Sequence, residues 1–186
     1  MIVNFELRQP LVAQHLTPNS SINYETLNYM KEHHYQSQIE WTGNQGTGTN
    51  HYAKYERSHT IQIEGKPLLA GSSDPAFRGD ASKHNPEDLF ISTLSSCHML
   101  WYLHFCSVHQ VIVEAYTDTV TGIMIEEKDG KGRFTEVTLH PVVTVQQQDM
   151  VELALSLHQK ASEFCFIANS VNFPVQHVPT IKVRES

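Results

Sequence analysis

Apolar and polar positions along the chain switch between a period of two and a helical period, which predicts a mixture of strands and helices. From Tyr35, "YQSQIEW" alternates, "GNQGTGTN" is a turn, and "HYAKYERSHTIQIEG" has further period-two features. Two or three antiparallel strands are expected there. "KPLLAGSSDPAFRGDASKH" has turn chemistry throughout and reads as one long loop, a length uncommon unless the loop is functional. A strong helix start follows. Asn85 suits the N-cap, Pro86 the first helical position, and Glu87 and Asp88 the first turn, where they complement unpaired N–H groups and the positive helix end. Phe90, Leu94, Cys97, Trp101 and His104 recur at i, i+4, i+7, i+11 and i+14, one helical face. Leu89, Leu100, Leu103 and Phe105 widen it, so this helix is expected in a core or at a subunit interface.

Two long strands are expected next, "VIVEAYTDTVTGIMIEE" and "RFTEVTLHPVVTVQQ", joined through the hairpin signal "KDGKG". A second helix is expected from a cap at Asp149 to Phe164, with Met150, Val151, Leu153, Ala154, Leu157, Ala161 and Phe164 on its apolar face. The chain then finishes on a strand, "VQHVPTIKVR". This order, with helices on one face of mostly antiparallel sheets, reads as an α+β fold. Residues 1–33 read as an N-terminal extension: "LTPNSS" breaks the pattern and "INYETLNYMKEHH" suits a short helix. Residues 34–186 read as one domain.

Charge narrows the function classes. The chain has 13 basic and 20 acidic residues and a net charge of −7, with no basic run. Nucleic-acid binding is disfavoured, because phosphate neutralisation needs a basic face. No apolar run approaches the roughly 20 residues needed to span a bilayer. The first residues lack the apolar core of a signal peptide, so a cytoplasmic protein without a membrane partner is expected.

Three cysteines, Cys97, Cys106 and Cys165, are too few for a secreted disulfide framework. Three readings stay open: buried apolar residues, metal ligands, or redox and nucleophilic thiols. His98 and His104 invite a zinc reading, but a spacing of six does not place them on one helical face. A cysteine hydrolase is a further option among twelve histidines, although no such signature is visible. Cys106 lies nine residues beyond Cys97, about 180° around a helix, and reads as a core or interface thiol.

"FRGDASKHNPEDLFISTLSSC", followed 68 residues after its last cysteine by "ASEFC", resembles the OsmC/Ohr family of thiol-dependent hydroperoxide reductases. Members share an Asn-Pro-Glu helix start with a cysteine ten residues after the glutamate, as from Glu87 to Cys97 in this chain, and a second cysteine after a second long helix. The OsmC branch carries an arginine in the preceding loop, the place of Arg78. Phe166 departs from the pattern, since proline usually follows the second cysteine.

The resemblance implies an α+β fold of antiparallel sheets packed on two long central helices, and an intertwined homodimer with its sites at the interface. It implies a peroxidase whose catalytic residues are Cys97, Cys165, Arg78 and Glu87, with no cofactor and no metal. Cys97 would attack the distal oxygen of an organic hydroperoxide and become a sulfenic acid. Cys165 would condense with it to a disulfide, and a thiol or lipoyl-like dithiol would reduce that disulfide. A free thiol ionises near about 8.5, and Cys97 is too deep in its helix for the dipole to help. Arg78, held by Glu87 and within reach of a cysteine of either subunit, would supply the cation. The apolar neighbours Phe90, Met99, Trp101 and Phe105 suit an organic substrate. A redox-inert protein of the same fold, binding an apolar small molecule, is the alternative.

Overall fold

The computed structural model describes residues 31–185. The chain divides into a unit ending at Gln36 and a second unit starting at Ser37. Every strand and helix described below belongs to the second; the helix expected in residues 22–34 lies largely outside the described residues.

The second unit opens with a small antiparallel sheet of β1 (Gln38–Trp41), β2 (His59–Gln62) and β3 (Leu69–Gly71). Ile39 faces Ile61, which faces Leu69 across the other edge. β3 lies inside the stretch read from sequence as all loop. It is only three residues long and exists through pairing with β2.

α1 (Pro86–Val108) starts where its signals place it. The Asn85 side chain accepts a hydrogen bond from the Asp88 N–H at 2.7 Å, satisfying one of the orphan donors of the first turn. Its buried face is Leu94, His98, Tyr102, Phe105 and Cys106, while Cys97 and Trp101 are half-buried and His104 is exposed. The face expected from sequence is therefore rotated by about one residue, or 100°. The helix is apolar on so much of its surface that hydropathy does not set its phase. The partner available to His98 does.

The two long strands expected after α1 are each broken once. β4 (Val113–Asp118) and β5 (Thr121–Glu126) form the first; β6 (Gly132–Leu139) and β7 (Pro141–Val145) form the second. The pair bends at Asp118 and His140, so β4 pairs with β7 in one sheet and β5 with β6 in another. Asp118 holds this corner: its carboxylate accepts from the His140 N–H at 2.6 Å and from the Ser95 hydroxyl on α1. Gly130, at φ +85, makes the hairpin turn that Asp129–Gly130 announced.

α2 spans Val151–Phe164. The expected cap, Asp149, lies instead in a short 3-10 turn over Gln148–Met150, and no side chain caps α2. The final strand is also split, into β8 (Val175–His177) and β9 (Thr180–Val183). β8 pairs parallel with β6 and β9 parallel with β7. The larger sheets, β5-β6-β8 and β4-β7-β9, are therefore mixed rather than antiparallel. A parallel neighbour needs a crossover, and α2 supplies it.

Core packing explains the position of α1. Its N-terminal half packs Leu94, with Phe90, onto Val137 and Leu139. Its C-terminal half packs Tyr102, Phe105 and Cys106 onto Val143 and Val145 and onto Ala154, Leu157 and Ala161 of α2. One helix thus spans both mixed sheets, with Cys97 near its middle.

Candidate active site

Cys165 is the residue that ends α2, with φ −68° and ψ 106°. A 3-10 turn at Ala168–Ser170 pins it: the Ala168 N–H donates to its sulfur at 3.4 Å and the Asn169 N–H to its carbonyl at 3.0 Å. Its thiol is buried, and hydrogen bonding with the neighbouring Cys97 acts on it. Burial first, then that hydrogen bond and the negative charge of a Cys97 thiolate, push the Cys165 thiol up to about 12. Both cysteines are free.

An aromatic wall stands next to the pair. Trp101, one turn beyond Cys97, packs on Phe105 with ring centroids 5.6 Å apart and on Phe164 at 5.3 Å. Phe166 meets Trp101 edge-on at 5.5 Å while remaining 66% exposed. The residue that departs from the family pattern therefore extends this wall. Cys106 is buried in the core, and burial raises its thiol to about 11.

Arg78 sits at the end of a tightly built loop. Asp74 accepts from the Ala76 N–H at 2.7 Å, and the Arg78 and Gly79 N–H groups bond back to Pro75 and Asp74. Arg78 itself takes the left-handed conformation, φ 65°. Gly79 is obligatory, because a Cβ there would lie 1.5 Å from the Ser73 carbonyl oxygen. The exposed guanidinium lies 5.9 Å from the Tyr52 ring centroid. Arg57 is sandwiched between Tyr52 and Tyr55, 4.3 and 4.2 Å from their ring centroids.

The structure thus brings Cys97 and Cys165 together and makes no ion pair between Arg78 and Glu87. Among the described residues neither takes part in an ion pair. One carboxylate oxygen of Glu87 is buried and has no hydrogen-bond partner among the described residues. His98 and His104, the pair that invites a zinc reading, diverge: one is buried and the other exposed. Among the described residues no group of three or more histidine, cysteine or acidic side chains converges as a metal site.

Sequence reasoning missed a buried histidine stack. His98 Nε2 lies 3.0 Å from His158 Nδ1, with the rings 7° from parallel. His158 also stacks on Tyr102 at 3.9 Å, and His177 of β8 lies 5.5 Å from His98. A signal was available: His98 is four residues from both Leu94 and Tyr102, and His158 is four from Ala154, so each sits in the buried phase of its helix.

Comparison with known proteins agrees with this architecture. The family model described as OsmC-like protein matches residues 79–178, which include Glu87, Cys97 and Cys165, with Arg78 one residue outside. The chain belongs to the OsmC-like family. An OsmC-like protein of unknown function from Vibrio cholerae is 28% identical, with a TM-score of 0.72 over 80% of this chain and 100% of that one. An organic hydroperoxide resistance protein OsmC from Legionella pneumophila shares the fold at 20% identity, TM-score 0.57, over 82% and 100% of the two chains. So does an organic hydroperoxide resistance protein from Elizabethkingia anophelis, at 18% identity, TM-score 0.58, over 83% and 100%. No curated protein gives a significant match.

Proposed function

We propose that this protein is a thiol-dependent peroxidase that reduces organic hydroperoxides to alcohols. The observation that carries the reading is the placement of Cys97, at the middle of α1, beside Cys165 at the end of α2, near enough for Cys97 to raise the Cys165 thiol. The Cys97 thiolate attacks the distal peroxide oxygen. An S–O bond forms, the O–O bond breaks, and the alkoxide leaves as alcohol after taking a proton. The sulfur of Cys165 then attacks the Cys97 sulfenic acid. An S–S bond forms, the S–O bond breaks, and hydroxide departs with the Cys165 proton as water. A small thiol or lipoyl-like dithiol supplies two electrons to reopen the disulfide.

Arg78 is the cation of this scheme. Among the described residues its guanidinium has no carboxylate partner, and its left-handed backbone is the kind of strain retained at functional loops. Glu87 offers a buried oxygen that needs a donor. A homodimer in which Arg78 of one subunit meets Glu87 and Cys97 of the other satisfies both. Exposed Ile123, Met124 and Ile125 on β5 and Leu100 on α1 are apolar surface suited to such an interface. The aromatic wall at Trp101 and Phe166 favours an apolar substrate. Among the described residues no helix is long and apolar enough to cross a membrane, and a cytoplasmic location fits thiols that must be kept reduced.

The test is intact mass with thiol titration after one equivalent of cumene hydroperoxide. The wild type should lose two thiols, Cys165→Ser should trap a sulfenic acid at Cys97, and Cys97→Ser should not react. Retention of all three thiols by the wild type overturns the reading and leaves a redox-inert protein that binds an apolar small molecule.

A further inference from the structure

The two helices that present the cysteines cross through an apolar contact of Tyr102, Phe105, Ala154, Leu157 and Ala161, with one buried polar link among the described residues, the 3.0 Å hydrogen bond between His98 and His158. Both rings are buried, 2% and 0% exposed. His98 directly follows Cys97. His158 precedes Cys165 by seven residues, about two helical turns, which returns to the same face of α2. We propose that this bond is a register lock that positions Cys97 against Cys165, making His98 and His158 positioning residues for disulfide formation. The lock rests on the reading of Cys97 and Cys165 as a redox pair.

The chemistry of the pair makes the lock specific. Each neutral imidazole has one N–H and one bare nitrogen, so a single proton is shared between His98 Nε2 and His158 Nδ1. His158 Nε2 is already buried without a partner. Sliding α1 by one residue moves it about 1.5 Å along its axis, which breaks the bond and leaves two more buried ring nitrogens unpaired. That state is costly. Stacking on Tyr102, at 3.9 Å, fixes the plane of the His158 ring and so the direction of the bond. Buried polar groups elsewhere set register between helices in this way.

The bond also dictates which replacements work. His98 uses its distal nitrogen, whose place a Gln amide takes. His158 uses its proximal nitrogen, whose place an Asn amide takes. The experiment measures the Cys97–Cys165 equilibrium against oxidised dithiothreitol in the full chain, and in parallel the disulfide formed with cumene hydroperoxide. His98→Phe and His158→Phe are expected to lower the equilibrium constant by about tenfold or more, the scale of one lost buried hydrogen bond. His98→Gln and His158→Asn should stay near the wild type. Sulfenic acid formation at Cys97, read in a Cys165→Ser background, should change little in any of them. Where a Phe variant fails to fold, the mismatched pair His98→Asn and His158→Gln replaces it, and these should behave like the Phe variants. Equal equilibria in matched and mismatched variants, or in Phe variants and wild type, overturn the lock. A wild type that ignores the peroxide but closes the disulfide with oxidised dithiothreitol defeats the peroxidase reading alone, and the lock is then judged on the dithiothreitol series.

Discussion

Cys97, half-buried on α1, lies beside the buried Cys165 at the end of α2, so the two cysteines are unequal before any oxidant arrives. Burial and Cys97 together hold Cys165 near 12, and burial holds Cys106 near 11. Only Cys97 is partly exposed. Iodoacetamide at pH 8 is therefore expected to label Cys97 first, with the other two slow, because the thiolate is the nucleophile. In Cys97→Ala, two of the influences that raise the Cys165 thiol vanish and only burial remains. Cys165 should then label faster at pH 9 than it does in the wild type. Peptide mass mapping over time reads both effects, and labelling of Cys165 ahead of Cys97 in the wild type contradicts the inequality of the two thiols.

Arg78 occupies a left-handed backbone position that glycine adopts without strain. An Arg78→Gly variant should therefore fold as well as the wild type or better, by up to about 1 kcal/mol, the balance between relieved strain and a looser unfolded chain. Oxidation of Cys97 by cumene hydroperoxide should meanwhile slow by roughly 100-fold, as expected for removal of one preorganised charge. Urea denaturation and stopped-flow oxidation separate the two. A variant that loses stability but not rate shows that Arg78 serves the loop rather than the thiol.

What can be read from the chain is local. The Asn85–Pro86–Glu87 start of α1 and the Asp129–Gly130 turn depend on neighbours within a few residues, and both stand where expected. The meeting of the two cysteines follows from helices whose positions the sequence signals. Features set by distant partners are illegible. β3 is strand only because β2 lies beside it, and the hairpin bends because Asp118 bonds both the His140 backbone and Ser95. The phase of α1 escapes the sequence because His98 reads as polar, and its reason for burial, His158, is 60 residues away. Arg78 and Glu87 are legible as residue types, but among the described residues no ion pair joins them.

Asp118 offers a test of that bend. Its carboxylate accepts two hydrogen bonds at the corner where one hairpin becomes part of two sheets. Asp118→Ala leaves the His140 N–H and the Ser95 hydroxyl without it, a loss of about 2–3 kcal/mol for bonds to a charged acceptor. For a chain of this size that corresponds to a drop in Tm of roughly 4–12 °C. Asp118→Asn keeps an acceptor for the backbone and a donor for Ser95, so it should lose less than half as much. Calorimetry on the two variants decides it; equal losses imply that the negative charge, not the pair of bonds, holds the corner.

The histidine stack makes stability depend on pH in a known direction. Burial lowers His98 from its ordinary 6.5 to about 4; burial, then His98 and His177, lower His158 to about 3. His177, half-buried on β8, is lowered by burial as well. The groups that face the stack are Tyr102 and these rings themselves, and among the described residues no carboxylate pairs with any of them. The folded chain therefore keeps the rings neutral while the unfolded chain binds protons below about 6.5. Their contribution is complete above that pH and is lost as pH falls through it, until the folded rings themselves protonate near 4. At pH 5 each buried ring should destabilise the fold by roughly 2 kcal/mol relative to pH 7.5. Urea midpoints at the two pH values should differ for the wild type and differ less for the matched double variant His98→Gln with His158→Asn. The difference between the two slopes isolates the stack from the remaining histidines and from the carboxylates. Identical slopes overturn this pH dependence and show that the rings bind protons alike in the folded and unfolded chain.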